Sequence, residues 1–323
     1  MTSTMMTRSR LVLSLLLVLG AGLVACDSGG DDDAGTRVDG STGVPALPPA
    51  LANFEEGEAF VSRTLDFSCR GTRVQPTAGA AVSTTFQLRD FQDDFEVTGT
   101  EVWLFSDNVI ADTCTAPGCQ MFTTDAMGDG MVDLPADGWY AYRVIAREGE
   151  TRNSTVFSVF QYNEPAPADA GGAVEGNSVS GSTIELIPAL LGITREPGRA
   201  LVSGRLEDCN GNFVQNSAVR LYDGDGNLVV DGSATTEPSY HYFNGNPDSN
   251  LPNQEETFSN VDGLYVVVQV PVLDDRPYRV EAYANLDGTT ARVGCESARI
   301  FPDAVTILNV GPERADADPA CME

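Results

Sequence analysis

The sequence predicts an all-β protein, with two tandem antiparallel β-sandwich domains behind an N-terminal leader and a disordered tether. Three observations carry that reading. Short segments place β-branched or aromatic residues at alternating positions, clusters of Gly, Asp and Pro separate them, and the order of the segments repeats once along the 323 residues. The boundaries read as leader 1–25, tether 26–50, first sandwich 51–162, linker 163–182, second sandwich 183–312 and tail 313–323.

Composition narrows the function before any motif is read. Against 47 Asp and Glu stand 19 basic residues, all arginine, for a net charge of −28. With no lysine there is neither a Schiff-base amine nor a phosphate-gripping P-loop lysine. The charge repels a nucleic-acid backbone and an anionic lipid surface, so no nucleic-acid partner is expected. A single histidine, His241, leaves little material for acid–base catalysis.

The leader begins with Met1 to Arg10, which holds two arginines and no acid, and continues as the apolar run Leu11 to Val24. That run is too short to span a bilayer comfortably and fits the core of a secretory signal. It ends in Leu23-Val24-Ala25-Cys26, which resembles the lipobox of bacterial lipoproteins. The resemblance implies cleavage between Ala25 and Cys26, a diacylglyceryl thioether on Cys26 and acylation of the new amino terminus. Two or three acyl chains anchor stably where one does not, at about 0.8 kcal/mol per buried CH₂. The implied partner is therefore the lipid bilayer, and the implied location is the bacterial cell envelope, facing the periplasm or the cell surface. Asp27 resembles the inner-membrane retention signal of some enteric bacteria; the choice of membrane stays open. From Asp27 to Pro49 the chain is acidic and rich in Gly and Pro, with no pattern that buries a face. About 25 such residues reach roughly 25 to 30 Å, enough to hold a domain off the headgroups.

Strand patterns follow in the first half at 99–105, 139–146 and 154–162, and in the second at 218–222, 264–271 and 278–284. The segment 163–182, with Pro165-Ala166-Pro167 and many Gly and Ser, reads as the linker between them. Glu101-Val102-Trp103-Leu104-Phe105 aligns with Ala218-Val219-Arg220-Leu221-Tyr222, and Tyr142-Arg143-Val144 with Tyr278-Arg279-Val280. Alternation puts Val102, Leu104, Val219 and Leu221 in the core and turns Glu101, Trp103, Ala218 and Arg220 outward. Asp223-Gly224-Asp225-Gly226-Asn227 reads as a hairpin turn. It fails as an EF-hand loop, because Leu228 stands where Gly is needed and Ala234 where Glu is needed.

The second half, roughly Leu201 to Val310, resembles the carboxypeptidase regulatory-like domains, a transthyretin-like or Cna-B-like β-sandwich group. The likeness rests on Val202 to Gly211, a strand followed by an Asp-x-x-Gly turn, and on Gly263 to Pro271. The first half, Phe86 to Tyr162, resembles it more loosely. Such modules are commonly accessory, spacer or adhesive domains, and the resemblance carries over no catalytic residue. Tyr240-His241-Tyr242-Phe243-Asn244-Gly245-Asn246-Pro247 departs from that pattern as an inserted loop.

Setting Cys26 aside leaves six cysteines, an even number that suits disulfides in an oxidising compartment and allows 15 pairings. Cys209 with Cys295 and Cys114 with Cys119 are the expected bridges, leaving Cys69 and Cys321 to pair or stay free. A zinc site needs close pairs of ligands, and only one close pair exists, so neither a metal nor a cofactor is expected. Ser239, His241, Asp248 and Glu255 can be drawn as a hydrolase constellation, but no nucleophile elbow accompanies them and no enzyme is expected. The expected function is that of a lipid-anchored, non-catalytic structural or interaction module. The alternative is a carbohydrate- or peptide-binding surface built on Tyr240, His241, Tyr242 and Phe243, with Trp139, contacting envelope proteins or glycans. A sugar platform demands exposed coplanar rings, so burial of those side chains counts against it.

Overall fold

The computed structural model describes residues 43–57, 59–70, 79–232, 234–246, 250–273, 276–312 and 321. The leader, Ala25, Cys26 and the tether up to residue 42 lie outside the described residues, as do Asp248 and most of the tail. In the first half the strands are β1 (Leu51–Glu56), β2 (Ala59–Arg63), β3 (Ala81–Asp90), β4 (Glu101–Phe105), β5 (Cys119–Thr123), β6 (Asp129–Pro135), β7 (Trp139–Val144), β8 (Val159–Pro165) and β9 (Ala173–Ser178). Helix α1 (Gly181–Leu190) comes next, followed by β10 (Ala200–Arg205), β11 (Phe213–Gln215), β12 (Ser217–Tyr222) and β13 (Ser239–Phe243). The chain then forms β14 (Pro252–Asn253), β15 (Leu264–Val270), β16 (Tyr278–Leu286), β17 (Thr289–Ala298) and β18 (Val305–Leu308).

Nine strands form one central sheet, in the order β14-β13-β15-β10-β18-β8-β7-β4-β5. Its two halves meet where β18 lies parallel to β8, with Val305 opposite Val159 and Leu308 opposite Tyr162. Two smaller sheets pack on opposite faces. The sheet β12-β16-β17 covers the first face, where Val202, Tyr265, Val267 and Phe160 meet Val219, Leu221 and Val280. The sheet β6-β3-β9 and helix α1 cover the second, where Leu201, Val266, Val268 and Tyr142 meet Phe86, Leu88 and Ile184. The protein is thus all-β, and its two sandwiches share a sheet. Burial on both sides explains why β15 is a continuous apolar run: Tyr265 and Val267 enter one core, Val266 and Val268 the other. Each such Val contributes about 1.5 to 3 kcal/mol relative to exposure.

Sharing the sheet changes the expected organisation. The described residues belong to one compact unit, and the stretch 163–182, read as a linker, completes β8, forms β9 and starts α1. The Ser180 side chain caps that helix by accepting from the Thr183 N–H, and Ile184 and Ile187 turn inward one helical turn apart. Val102, Leu104, Val219 and Leu221 are buried, whereas Trp103 and Arg220 are half-buried. Ala218 was expected to face outward but is fully buried in the first core. Trp103 donates through Nε1 to Glu101 at 2.6 Å and lies under the Arg143 guanidinium.

The disulfides are Cys69–Cys209, Cys114–Cys119 and Cys295–Cys321. Cys209 therefore pairs with Cys69, and the expected bond to Cys295 is corrected. The reason is local: the Cys209 N–H donates to the Asp66 carbonyl at 2.8 Å and the Asp66 N–H to the Asp208 carboxylate at 3.1 Å. That stitching brings Cys69 to Cys209, leaving Cys295 in β17 to take Cys321.

Three turns repeat one device, Asp-x-x-Gly followed by Asn or Asp, at 125–129, 208–212 and 223–227. In each, one oxygen of the leading carboxylate accepts the N–H groups of the third and fifth residues, at 2.8 to 3.0 Å. In each, the glycine takes the left-handed conformation, with φ of +75° at Gly128, +74° at Gly211 and +81° at Gly226. The N–H groups of Asp129 and then Met127 hold the Asp125 carboxyl below its ordinary range. Gly226 has open space where a Cβ would stand, so Gly226→Ala tests backbone conformation alone. Urea unfolding should show a loss of about 1 to 2 kcal/mol for this variant; an unchanged midpoint would contradict the role given to the turn.

Candidate functional site

The covering layers leave a gap over the second face of the central sheet. β9 and α1 wall one side and β1, β2 and β11 the other, enclosing a cleft of about 490 Å³. Strand register orders its floor in rows. Leu201 lies beside Val305, and Ser203 lies beside Ile307, which in turn faces Gln161. The next row joins Leu264 to Arg205, whose backbone N–H donates to the Asn309 side chain at 3.2 Å. The floor therefore passes from apolar to polar along the strands.

A β-bulge builds the polar end. Tyr142 pairs with Gln161 and Tyr140 with Glu164, so β8 fits one more residue into the interval than β7 does, with Asn163 at φ +62°. In a regular strand, residues three apart face opposite sides. The extra residue returns Gln161 and Glu164 to the same side, where the Gln161 side chain donates to the Glu164 carboxylate. The network then closes. The Tyr142 hydroxyl donates to Gln161 and accepts from the Asn177 N–H at 2.5 Å. The Asn177 side-chain amide donates to Gln161 at 3.1 Å, and that of Asn309 to Glu164 at 3.3 Å. Burial and then the Glu164 charge push the hydroxyls of Tyr140 and Tyr142 well above the ordinary tyrosine value. Tyr140 lines the cleft at 1 % exposure.

Charge around the cleft is one-sided. Glu55, Glu164, Glu175 and Asp262 line it, against Arg205. The Arg205 Nε is held by Glu207 at 2.7 Å. Burial pushes the Asp262 carboxyl up, and at the rim partial desolvation and then the Asp94 charge do the same to Glu175. Asn250 donates to Asp262 at 2.6 Å.

The residues singled out from sequence lie elsewhere or inward. Ser239 to Phe243 form a strand paired with β15, where an inserted loop was expected. Tyr242 and Phe243 are each 2 % exposed and enter opposite cores. The Tyr242 hydroxyl accepts from the Val219 N–H at 3.0 Å, and that of Tyr240 donates to the Val229 carbonyl at 2.6 Å. These rings hold the sandwich together and present no platform, which corrects the surface-binding expectation; Phe243 lines the cleft from within. His241 contacts the Ser239 hydroxyl at 2.9 Å, and burial lowers its pKa, favouring the neutral ring. Trp139 is half-buried. Among the described residues, no group of three or more His, Cys, Asp or Glu is placed to hold a metal. The cleft residues were missed because Gln161 and Glu164 share a face only through the bulge. The left-handed asparagine between them was the available signal.

No protein-family model and no curated protein matches the chain. Among solved structures, the shaft pilin SpaA from Lactobacillus rhamnosus GG overlaps 72% of this chain and 98% of its own, at 9% identity and a TM-score of 0.23. The major pilin from Streptococcus pyogenes, as its N168A mutant, overlaps 73% and 99%, at 8% identity and a TM-score of 0.21. The Bacillus anthracis TIE protein overlaps 72% of this chain at 12% identity and a TM-score of 0.22, and the match spans 34% of that longer protein. Overlaps at these scores carry no argument about function, and the fold class rests on the sheets described above.

The buried network has a measurable coupling. Gln161→Leu removes the acceptor of the Tyr142 hydroxyl and of the Asn177 side-chain amide and should cost about 1 to 3 kcal/mol in denaturant unfolding. Combined with Tyr142→Phe, the loss should fall short of the sum of the two single losses; strict additivity would show that the contact contributes nothing.

Proposed function

We propose that the chain is a lipid-anchored, non-catalytic protein of the bacterial cell envelope, working as an interaction module whose contact site is the cleft. Cysteine usage carries this reading. All six cysteines downstream of Cys26 are taken up in bridges, so the seventh, directly after the apolar leader, is the one left for acylation. Three disulfides fit an oxidising compartment outside the cytoplasm. The net charge of −28 opposes direct adsorption to anionic lipid, which makes the acyl chains on Cys26 the contact with the bilayer. A sheet buried on both faces supplies a stiff support for a cleft, and the acidic tether gives it reach from the membrane.

Metabolic labelling with an alkyne fatty acid, followed by fractionation, tests the anchor. The wild-type chain should carry the label and sediment with membranes, while Cys26→Ser should be unlabelled and released. An unlabelled wild-type protein recovered in the soluble fraction would overturn the reading.

A further inference from the structure

The cleft is graded as well as charged. Leu201, Val305 and Ile307 form an apolar floor under Ile184 and Ile187 of the helix, and Glu164 stands at the other end beside Tyr140. Its volume of about 490 Å³ falls within the range of small-molecule sites, roughly 300 to 1,000 Å³. Four carboxylates against one arginine, on a chain of net charge −28, raise the local concentration of cations and exclude anions. The Tyr140 hydroxyl is a second and independent pointer. The Tyr140 side chain is buried to 1 % exposure and lines the cleft, where its hydroxyl oxygen is able to accept a hydrogen bond.

Resting on the reading of the cleft as the contact site, we propose that it binds an apolar amine, a hydrocarbon body ending in an ammonium group. The body lies over Leu201, Val305 and Ile307. The ammonium donates to the Glu164 carboxylate and to the Tyr140 oxygen, replacing water with two acceptors already fixed by the sheet. An acid of the same shape would bring its charge against Glu164 and lose affinity, and an alcohol would keep the apolar contact without the ionic one.

Methyl NMR titration of the full chain with 4-phenylbutylamine, 4-phenylbutan-1-ol and 4-phenylbutanoate tests this directly. The amine should give saturable shifts at Ile184, Leu201 and Ile307, the alcohol should bind at least tenfold more weakly, and the carboxylate should leave those methyls unmoved. Glu164→Gln should weaken the amine about tenfold and leave the alcohol unchanged. Should that variant fold poorly, Glu175→Gln at the rim should act in the same direction by about threefold. If alcohol or carboxylate binds as tightly as the amine, the ligand class is wrong while the cleft remains a contact site. If none of the three moves those methyls, both the proposal and the reading of the cleft fall.

Discussion

The parallel pairing of β8 with β18 is the contact on which the rest depends. It joins strands 146 positions apart, counted from Val159 to Val305, and turns two short sheets into one of nine strands. Once joined, the sheet is covered on one face by β12-β16-β17 and on the other by β6-β3-β9 with α1. Each half supplies strands to both cores, so neither core is complete without the other half. Closing such distant pairs loses chain entropy before the contacts form, and the Cys69–Cys209 bridge, 140 residues apart, removes part of that loss from the unfolded chain.

The cleft is a consequence of the same arrangement. Two three-stranded sheets and one helix are too few to cover both faces of nine strands, and the uncovered region falls over β10, β18 and β8, where the halves meet. Irregularities at the seam supply its chemistry. The bulge around Asn163 turns Glu164 toward Gln161, and the end of β18 sets Asn309 against both Arg205 and Glu164. Tyr142, Gln161, Glu164 and Asn177 of that network are held by strands, and Asn309 directly follows β18, which fixes the polar end before any ligand arrives.

Much of the local structure was legible. Alternation in Glu101 to Phe105 marked Val102 and Leu104 as core, and the even set of cysteines after Cys26 indicated bridges. Legibility failed where position in the sheet decides the outcome. Ala218 was turned outward by alternation, but its strand pairs with β16, where Ala218 lies opposite Tyr283, and both Ala218 and the adjacent Val219 are buried in the first core. The helix at Gly181–Leu190 was hidden by Gly, Ser and Pro188, although Ser180 as cap and the spacing of Ile184 and Ile187 were there to be read. The Tyr-rich segment was read as an inserted loop because it departs from the pattern of the family that the second half resembles; its rings are spent on two cores, one on each side of β13. No local pattern could reveal the cleft, since its acidic and apolar residues converge from strands of both halves and from helix α1.

Native-state hydrogen exchange in increasing urea tests the shared sheet most directly. If the two cores stand or fall together, the slowest amides of β4 and β7 in the first half and of β10 and β15 in the second converge on one opening free energy with one urea dependence. Separate openings, with one half exchanging at lower urea while the other stays protected, would contradict the account.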